Sequence, residues 1–344
     1  DDAAFDAALV ARALPDTPIL LKWTREDEHE WEPYAPAMAV EVAARTDADG
    51  RITTWSQEAY SDTHGRRPRP GPDRAGPARL LANSLRAKPV PAFVPKPNLG
   101  AHAGIHRNLD PIYNFPDRRL VKHLVTDLPL RTSAMRCLGG AANVFAIESF
   151  MDELALDAGR NPLDFRRDHL SDARALAVLD GLERAAGTPR GAGRGFAFAQ
   201  YKNAMARVGV AVDLAVTDAA EIRLTRAVIA AEAGRIVDPD GLTAQLEGGF
   251  LQAASWALAE EVTWDRDGIT SRDWDSYPVL RFDNVPAIEV VLLDLPQEKS
   301  LGAGEAAGGP ALAAIANAVA AVTGLRLRRL PFTPEALRRA AIEE

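Results

Sequence analysis

The sequence predicts an α+β fold in which mixed sheets pack against helices. Segments with the alternating pattern of strands and segments with helical spacing follow one another along the chain, and no internal repeat occurs. The 344 residues, 47% of them hydrophobic, are enough to bury a substantial core. We therefore expect folded domains and not a disordered chain.

The first segments predict two helices and a hairpin. Residues 3–14 are rich in Ala with helical spacing, and residues 19–23 form a short apolar run of strand length. Thr24 precedes several acidic residues, which is typical of the N-cap of a short helix. Residues 38–44 and 52–55 flank a turn that contains Asp and Gly, so we expect a two-stranded ribbon there.

A connection rich in Pro and Arg, from about residue 65 to 97, follows the ribbon. Proline supplies no backbone N–H, so this stretch predicts neither a sheet ladder nor a long helix. Residues 143–159 then carry apolar side chains at helical spacing, and Gly159 ends the pattern. One face of this helix should lie in the core.

Glycine-rich residues 187–195 predict the best internal boundary, directly after a polar helical segment. They divide the chain into a first part, residues 1–187, and a second part, residues 188–344. Strands and helices of the second part are predicted at residues 207–216 (strand), 221–230 (strand), 241–261 (helix), 288–293 (strand) and 310–322 (last helix, ending at Gly324).

Composition excludes several classes of function. The net charge is −8 and basic residues are scattered, which argues against a nucleic-acid partner. The Ala-rich stretch 306–322 is too short and too interrupted to span a membrane, and the first residues lack a signal peptide. The chain should therefore be soluble, in either the cytoplasm or the periplasm. A single cysteine, Cys137, excludes an intramolecular disulfide and a cysteine-held iron–sulfur cluster.

Three glycine-rich segments are candidates for chemistry: residues 136–143, 245–249 and 302–310. The first and third run directly into helices, where backbone N–H groups can converge on an anionic ligand. The alternative is that each loop only turns the chain, and this interpretation is favoured for any one loop taken alone.

Glu305 is the sharpest single candidate, because its neighbours are only Gly and Ala and it precedes an apolar helix. Peptide dipoles and desolvation at such a place can adjust a carboxylate for proton abstraction. The alternative is a carboxylate that stabilises the helix dipole, and composition alone favours that role.

Other chemically capable side chains give weaker signals. His102 and His106 have a spacing of four but bracket a glycine in a loop, so no metal site is expected. Cys137 is best interpreted as a buried thiol without a catalytic role. Tyr201 and Lys202 follow an apolar run, and an exposed strand end is favoured over the lining of a pocket.

Taken together, four stretches in register carry a resemblance to a known family: residues 21–28, 131–153, 234–249 and 302–318. They resemble the C-terminal half of the molybdopterin-binding catalytic subunit of the xanthine oxidase and aldehyde oxidoreductase family, in its nicotinate dehydrogenase and isoquinoline 1-oxidoreductase branch. The resemblance covers nearly the whole chain. It implies a fold of the molybdenum-cofactor-binding type and a molybdopterin-dependent oxidoreductase that is part of a larger subunit or complex.

The resemblance also implies a reaction. In this family molybdenum is held by the dithiolene of its pterin, here expected as molybdopterin cytosine dinucleotide, and not by protein side chains. A glutamate at the position of Glu305 acts as the general base in a water-derived hydroxylation of an N-heteroaromatic or aldehyde carbon. Hydride passes to Mo=S, and electrons leave through Fe-S clusters of a partner subunit. The substrate is a small molecule that the sequence does not identify.

Site residues follow from the same resemblance. Arg136 and Leu138 fall beside the substrate. The residues implied to lie against the cofactor are Gly139, Gly140, Ala141, Ala142, Gln245, Gly302, Ala303 and Gly304.

The sequence departs from the family pattern in three respects. Residues 306–308 read Ala-Ala-Gly where many relatives have Pro, and Cys137 stands where a small or apolar residue is usual. Two cofactor segments, a Phe-Gly loop and a Gly-Gln-Gly segment, are absent. We therefore expect the remaining half of the molybdopterin subunit on another polypeptide. The alternative is a truncated, non-catalytic family member that serves as a structural or partner-binding module.

Overall fold

A three-stranded and a four-stranded sheet organise the chain in a computed structural model that describes residues 1–68 and 76–343. The elements of the first region are α1 (Asp2–Ala13), α2 (Arg25–Trp31), β1 (Met38–Thr46), β2 (Ile52–Ser61) and β3 (Asp117–Leu124). β1 and β2 are antiparallel, as the hairpin pattern predicts, and β3 adds to β2 in parallel. The sequence does not predict β3, because the many charged side chains of this edge strand obscure the alternation of apolar and polar residues that is typical of a strand.

The helix after Thr24 is confirmed, and the strand predicted just before it is wrong. The Thr24 side chain accepts a hydrogen bond from the Asp27 backbone, and the Asp27 side chain accepts one from the Thr24 backbone. Residues 19–23 have no regular secondary structure and pair with no strand in the described part of the chain, and Leu20 is 93% exposed. An apolar run becomes a strand only where a sheet edge meets it.

The predicted connection at residues 65–97 lies partly outside the described residues. Two short 3₁₀ helices, Gly76–Arg79 and Leu81–Leu85, occur in its described portion. A third, Gly104–His106, precedes β3. The rest of its described portion, residues 65–68, 80 and 86–97, has no regular secondary structure, as expected from its proline content.

Three helices then follow in close succession: α3 (Gly140–Asp157), α4 (Pro162–Asp168) and α5 (Ala173–Ala186). The Asn161 side chain caps α4, and the Asp172 side chain caps α5. Helix α3 confirms the prediction for residues 143–159, and Gly159 adopts a φ of 64° just beyond its end.

The last region builds the larger sheet and its helices. Its elements are β4 (Gly193–Gln200), β5 (Arg207–Val216), β6 (Ile222–Glu232), α6 (Pro239–Leu258), β7 (Trp264–Asp265), β8 (Gly268–Ile269), β9 (Ala287–Leu293), α7 (Gly308–Thr323) and α8 (Pro334–Glu343). The sheet order is β4-β5-β6-β9, with β9 parallel to β6. Helix α8 corrects the prediction that α7 is the last helix; most of the apolar residues of α8 are Ala, and it buries only Leu337.

Both faces of the larger sheet are covered. Val208, Val210 and Val212 of β5 face a core that includes α6 and α7. Ala211 faces the opposite core, which includes Leu182 of α5. The core that contains Ala211 and Leu182 includes residues from both sides of the segment 187–195. The division of the chain into two parts at this segment stays a prediction.

Helix α7 is the central helix of the fold, buried from Gly308 to Ala320. It lies so close to β4 that a Cβ at Gly195 would come within 2.2 Å of the Ala314 carbonyl oxygen. The apolar character of α7 on every side therefore reflects burial within the protein. No helix within residues 1–68 and 76–343 has the length and hydropathy needed to cross a membrane.

Candidate active site

The three glycine-rich segments meet around the side chain of Arg136. Its Nε donates to the Gly304 carbonyl oxygen at 2.7 Å, and its Nη2 donates to the Gln245 carbonyl oxygen at 3.1 Å. Nη1 donates to Oε1 of Gln252 at 3.3 Å. Three segments that are distant in sequence thus form one wall, made by the N-terminal ends of α3 and α7 and by part of α6.

Glu305 lies at the centre of this wall with its side chain 33% exposed. Oε1 accepts a hydrogen bond from the backbone N–H of Cys137 at 3.1 Å. Oε2 accepts hydrogen bonds from the Tyr201 hydroxyl and from Nη1 of Arg107, the latter at 3.3 Å. The carboxylate is held by three donors from three separate segments and still reaches solvent.

Arg107 and Tyr201 also bind each other. Nη1 of Arg107 donates to the Tyr201 hydroxyl oxygen at 2.5 Å, and its Nε donates to the His102 carbonyl oxygen at 3.1 Å. Tyr201 is 8% exposed, and the Arg107 side chain is 10% exposed. Burial, and next the hydrogen bond to Glu305, raise the pKa of Tyr201 above its usual value, so the phenol keeps its proton and donates.

Cys137 is buried directly behind Glu305, as the sequence predicts. Its Sγ donates to the Glu305 carbonyl oxygen at 3.2 Å. Burial, and to a smaller extent the Glu305 carboxylate, raise the pKa of the Cys137 thiol to about 12. The thiol is therefore neutral near pH 7 and is a poor nucleophile.

The turn before α3 is tight. Cys137 and Leu138 adopt φ angles of 71° and 48°, which side-chain-bearing residues rarely do. A Cβ at Gly139 would lie 2.5 Å from the Ile105 carbonyl oxygen, so only glycine fits there. Gly140 begins α3 and is buried, and Ala141 and Ala142 are half-buried beside it.

Helix α3 anchors the segment that carries Arg107. The side-chain amide of Asn143 donates to the carbonyl oxygens of Ile105 at 2.8 Å and of Arg107 at 2.9 Å. Further along α3, Glu148 forms a fully buried ion pair with Arg166, with Nε and Oε2 2.8 Å apart. Asn317 of α7 donates to the Glu148 carbonyl oxygen at 3.2 Å, which ties the two helices of the site together.

The rim of the wall is open to solvent and rich in glycine. Gly302 and Gly304 are exposed, and a Cβ at Gly302 would meet nothing within 4 Å. Gln245 is also exposed, whereas Ala303 is buried. Within the two described stretches, no three His, Cys, Asp or Glu side chains are grouped so that they could hold a metal ion. A metal ion at this wall would therefore need ligands other than such a group of side chains.

Two family models described as molybdopterin cofactor-binding domains match residues 95–170 and 151–286, together more than half of the chain. The chain belongs to the molybdopterin cofactor-binding family. The resemblance drawn from the four sequence stretches, to the molybdenum-binding subunits of the xanthine oxidase family, is thereby confirmed.

Curated relatives of this family align with nearly the whole chain. The chain is 35% identical over 361 residues to a nicotinate dehydrogenase subunit from Pseudomonas putida, an alignment that covers 99% of the chain and 29% of that protein. It is 29% identical to the beta subunit of isoquinoline 1-oxidoreductase from Brevundimonas diminuta, with 96% of the chain and 40% of that protein covered. The chain thus spans less than half the length of either relative.

Solved structures share the fold. Quinoline 2-oxidoreductase from Pseudomonas putida aligns with a TM-score of 0.74 at 14% identity, over 98% of this chain and 66% of that one. The aldehyde oxidoreductase from Desulfovibrio gigas aligns with a TM-score of 0.67 at 13% identity, over 93% and 51%. These matches confirm the predicted α+β fold of the molybdenum-cofactor-binding type.

Sequence reasoning missed two residues of the site. The prediction of an exposed strand end at residues 201–202 is wrong for Tyr201, which is buried against Glu305. The available signal was its place at the end of β4, whose last residues are all buried. Arg107 lies in an irregular loop and gave no signal. The structure brings together Glu305, Arg136, Gln245 and the glycines, and their roles toward substrate and cofactor stay predictions.

Proposed function

We propose that this chain supplies the general base and one wall of the cofactor site of a molybdenum-dependent hydroxylase or dehydrogenase. The observation that carries the proposal is the placement of Glu305. A carboxylate held by three donors, partly open to solvent and set among exposed glycines, lies in a chain of the molybdopterin cofactor-binding family. A carboxylate that served only to stabilise the dipole of α7 would need neither Tyr201 nor Arg107.

Each group of the wall has a role in this proposal. When bound, the molybdenum–pterin group supplies the oxidising centre that takes two electrons from the substrate carbon. Glu305 accepts the proton released when water-derived oxygen is added to that carbon. Gly302 and Gly304 let the cofactor approach the backbone, and Arg136 holds the Glu305 loop against α6. Whether Arg136 also contacts the substrate is a separate prediction, tested below.

The overall reaction converts a C–H bond and water into a C–OH bond, two protons and two electrons. The names of the relatives, nicotinate dehydrogenase and isoquinoline 1-oxidoreductase, support an N-heteroaromatic substrate, and the likeness to an aldehyde oxidoreductase keeps aldehydes as an alternative. The electrons pass to Fe-S clusters outside this chain, since its one cysteine is buried behind Glu305. The cytosine dinucleotide form of the pterin is part of the same proposal.

The remaining part of the catalytic subunit completes the cofactor site in this proposal. Support comes from the relatives, of which the chain spans only 29% and 40%. Large apolar side chains at Leu20, Leu85 and Leu99 are almost fully exposed, as expected of a surface that another part of the protein covers.

The experiment uses the chain assembled with the remaining part of its catalytic subunit. It replaces Glu305 by Gln and uses Glu335→Gln as the control, because Glu335 is an exposed glutamate on α8, outside the wall. Nicotinate, isoquinoline, quinoline and an aldehyde are tested with an artificial electron acceptor. We expect Glu305→Gln to lower turnover about a thousandfold, since loss of a general base costs roughly 10² to 10⁴. The molybdenum content, measured by elemental analysis, should stay unchanged.

Other outcomes would assign a different role. Equal turnover in Glu305→Gln and Glu335→Gln would remove Glu305 from the reaction. A loss of activity together with a loss of molybdenum would make Glu305 a structural residue. A protein that carries no molybdenum and oxidises none of the four substrates would support the non-catalytic module.

A further inference from the structure

The two oxygens of the Glu305 carboxylate have different environments. Oε2 receives both the Tyr201 hydroxyl and Nη1 of Arg107, whereas Oε1 receives only the Cys137 N–H. A carboxylate oxygen accepts about two hydrogen bonds. Oε2 is therefore saturated by the protein, and Oε1 keeps one free lone pair.

We infer that Arg107 and Tyr201 are positioning residues that fix Oε2 of Glu305, so that Oε1 is the oxygen that accepts the proton. The inference rests on the proposed function of Glu305 as general base. It assigns to the chain a built-in orientation of that base, made by two residues from outside the glycine-rich loops.

The direction of the Tyr201 hydroxyl supports this assignment. The hydroxyl oxygen already accepts a hydrogen bond from Nη1 of Arg107, so its proton must point elsewhere, and Oε2 of Glu305 is the acceptor in reach. Burial keeps the phenol protonated. Tyr201 therefore acts only as a donor toward Glu305. The Arg107 guanidinium that binds the Tyr201 hydroxyl oxygen also donates to Oε2 of Glu305.

Arg107 and Tyr201 are each anchored by further hydrogen bonds. Asn143 of α3 fixes the Arg107 backbone, and the Arg107 Nε is bound by the His102 carbonyl oxygen. Tyr201 follows β4, and its backbone N–H donates to the Ala206 carbonyl oxygen at 2.9 Å. The pair therefore holds Oε2 from two segments that each have a backbone anchor outside residues 302–310.

The chain offers a matched control for a test with Tyr201→Phe. Tyr113 is also buried and also donates to a carboxylate, Oε1 of Glu148 at 2.6 Å, but it belongs to the core beside Trp55 and Phe115. Tyr113→Phe removes the same hydroxyl from the same kind of bond without touching Glu305.

Kinetics give the first measurement. We expect Tyr201→Phe to lower kcat by about 10- to 100-fold with KM changed less than about twofold, because misplacement of a reacting group by about 1 Å costs up to about 10²-fold. Molybdenum content should match the parent, and Tyr113→Phe should keep kcat within about twofold. Arg107→Lys keeps the charge but loses the fork, and it should lower kcat to a similar extent.

Thermal unfolding gives a second measurement that needs no turnover. Tyr201→Phe should lower the unfolding temperature by about 2 °C or more in the parent, the shift expected when one buried hydrogen bond is lost. In a Glu305→Ala background the same substitution should cause a clearly smaller shift, because its acceptor is gone. If Tyr201→Phe does not fold, the unfolding temperature of Arg107→Lys is compared in the same way, in the parent and in the Glu305→Ala background.

The failures of the inference and of the proposed function can be told apart. If Glu305→Gln abolishes turnover but Tyr201→Phe and Arg107→Lys behave like Tyr113→Phe, the positioning role is wrong and the base remains. Equal unfolding shifts in both backgrounds would also overturn the inference. If Glu305→Gln leaves turnover intact, the proposed function itself fails, whatever the unfolding cycle gives.

Discussion

Gly308, the first residue of α7, has no room for a side chain. A Cβ at this position would lie 2.6 Å from Sγ of Cys137, whereas ordinary contacts begin near 3.4 Å. Gly308→Ala must therefore push the thiol, or the start of α7, by about 0.8 Å. Overpacking of this kind costs about 1–3 kcal/mol. We expect the free energy of unfolding to fall by that amount.

Activity should fall more steeply than stability. The backbone N–H of Cys137 binds Oε1 of Glu305, and its Sγ binds the Glu305 carbonyl oxygen, so a displaced Cys137 displaces the base. A shift approaching 1 Å costs up to about 10²-fold in rate. We predict that Gly308→Ala lowers kcat by about 10- to 100-fold while most of the protein remains folded at 25 °C.

The assay combines denaturant unfolding with steady-state kinetics and includes a control and a suppressor. Gly181→Ala makes the same chemical change inside α5, away from the wall, where the nearest atom to a Cβ is Leu293 Cδ1 at 3.5 Å, and it should leave activity unchanged and stability equal or slightly higher. Cys137→Ala removes the clashing sulfur, so Gly308→Ala/Cys137→Ala should match Cys137→Ala alone. A Gly308→Ala protein as stable and active as the parent, or a double variant that is no better than Gly308→Ala, would refute the reasoning.

Four further predictions concern single residues. Burial lowers the pKa of His64 to about 4, so between pH 6.5 and pH 4 the unfolded chain binds a proton at His64 that the folded chain does not bind. The free energy of unfolding should therefore fall by about 3 kcal/mol as the pH drops from 6.5 to 4. Denaturation of His64→Gln at both pH values should show a smaller loss, and an unchanged loss would contradict the assignment. Cys137, with its pKa raised to about 12, should not react with iodoacetamide at pH 8 until denaturant is added. Mass spectrometry measures the labelling, and labelling of Cys137 in the native protein would contradict this prediction. Arg136→Lys removes the pair of hydrogen bonds that Nε and Nη2 donate to the Gly304 carbonyl oxygen, and it should lower kcat/KM about tenfold. A fall in kcat indicates that Arg136 positions the loop, and a rise in KM indicates that it contacts the substrate. No change in either constant would contradict both roles. Leu85→Ser should leave the unfolding temperature of this chain unchanged but weaken its association with the rest of the catalytic subunit in a co-purification assay, and undiminished association would mean that the exposed Leu85 lies outside that interface.

Elements with a strong local pattern could be predicted from the sequence to within a few residues. The hairpin of β1 and β2, the pair β5 and β6, and α7 all combine a clear hydrophobic period with a turn or cap at the correct place. Residues 19–23 and β3 mark the limit of this reasoning. Strand formation depends on a neighbouring edge, so an apolar run stayed unpaired while a charged one joined β2.

The site divides in the same way. Glu305 could be found because a carboxylate among glycines is unusual within a short stretch of sequence. Tyr201 and Arg107 could not, since they lie 104 and 198 residues from Glu305 and become its partners only through tertiary packing. No local pattern distinguishes a buried arginine that serves a carboxylate from one that serves the fold.

The buried pair of Glu148 and Arg166 supports the helices beside the site without touching Glu305. The pair joins α3 to α4, and Asn317 adds α7, so the helix that fixes Arg107 and the helix that follows Glu305 share one support. Removing one partner from a buried ion pair costs about 3–5 kcal/mol, because a charge is left without compensation. The Glu148–Arg166 pair therefore supports the stability of the helices on which the site is built, while the contacts that orient Glu305 itself come from Cys137, Tyr201 and Arg107.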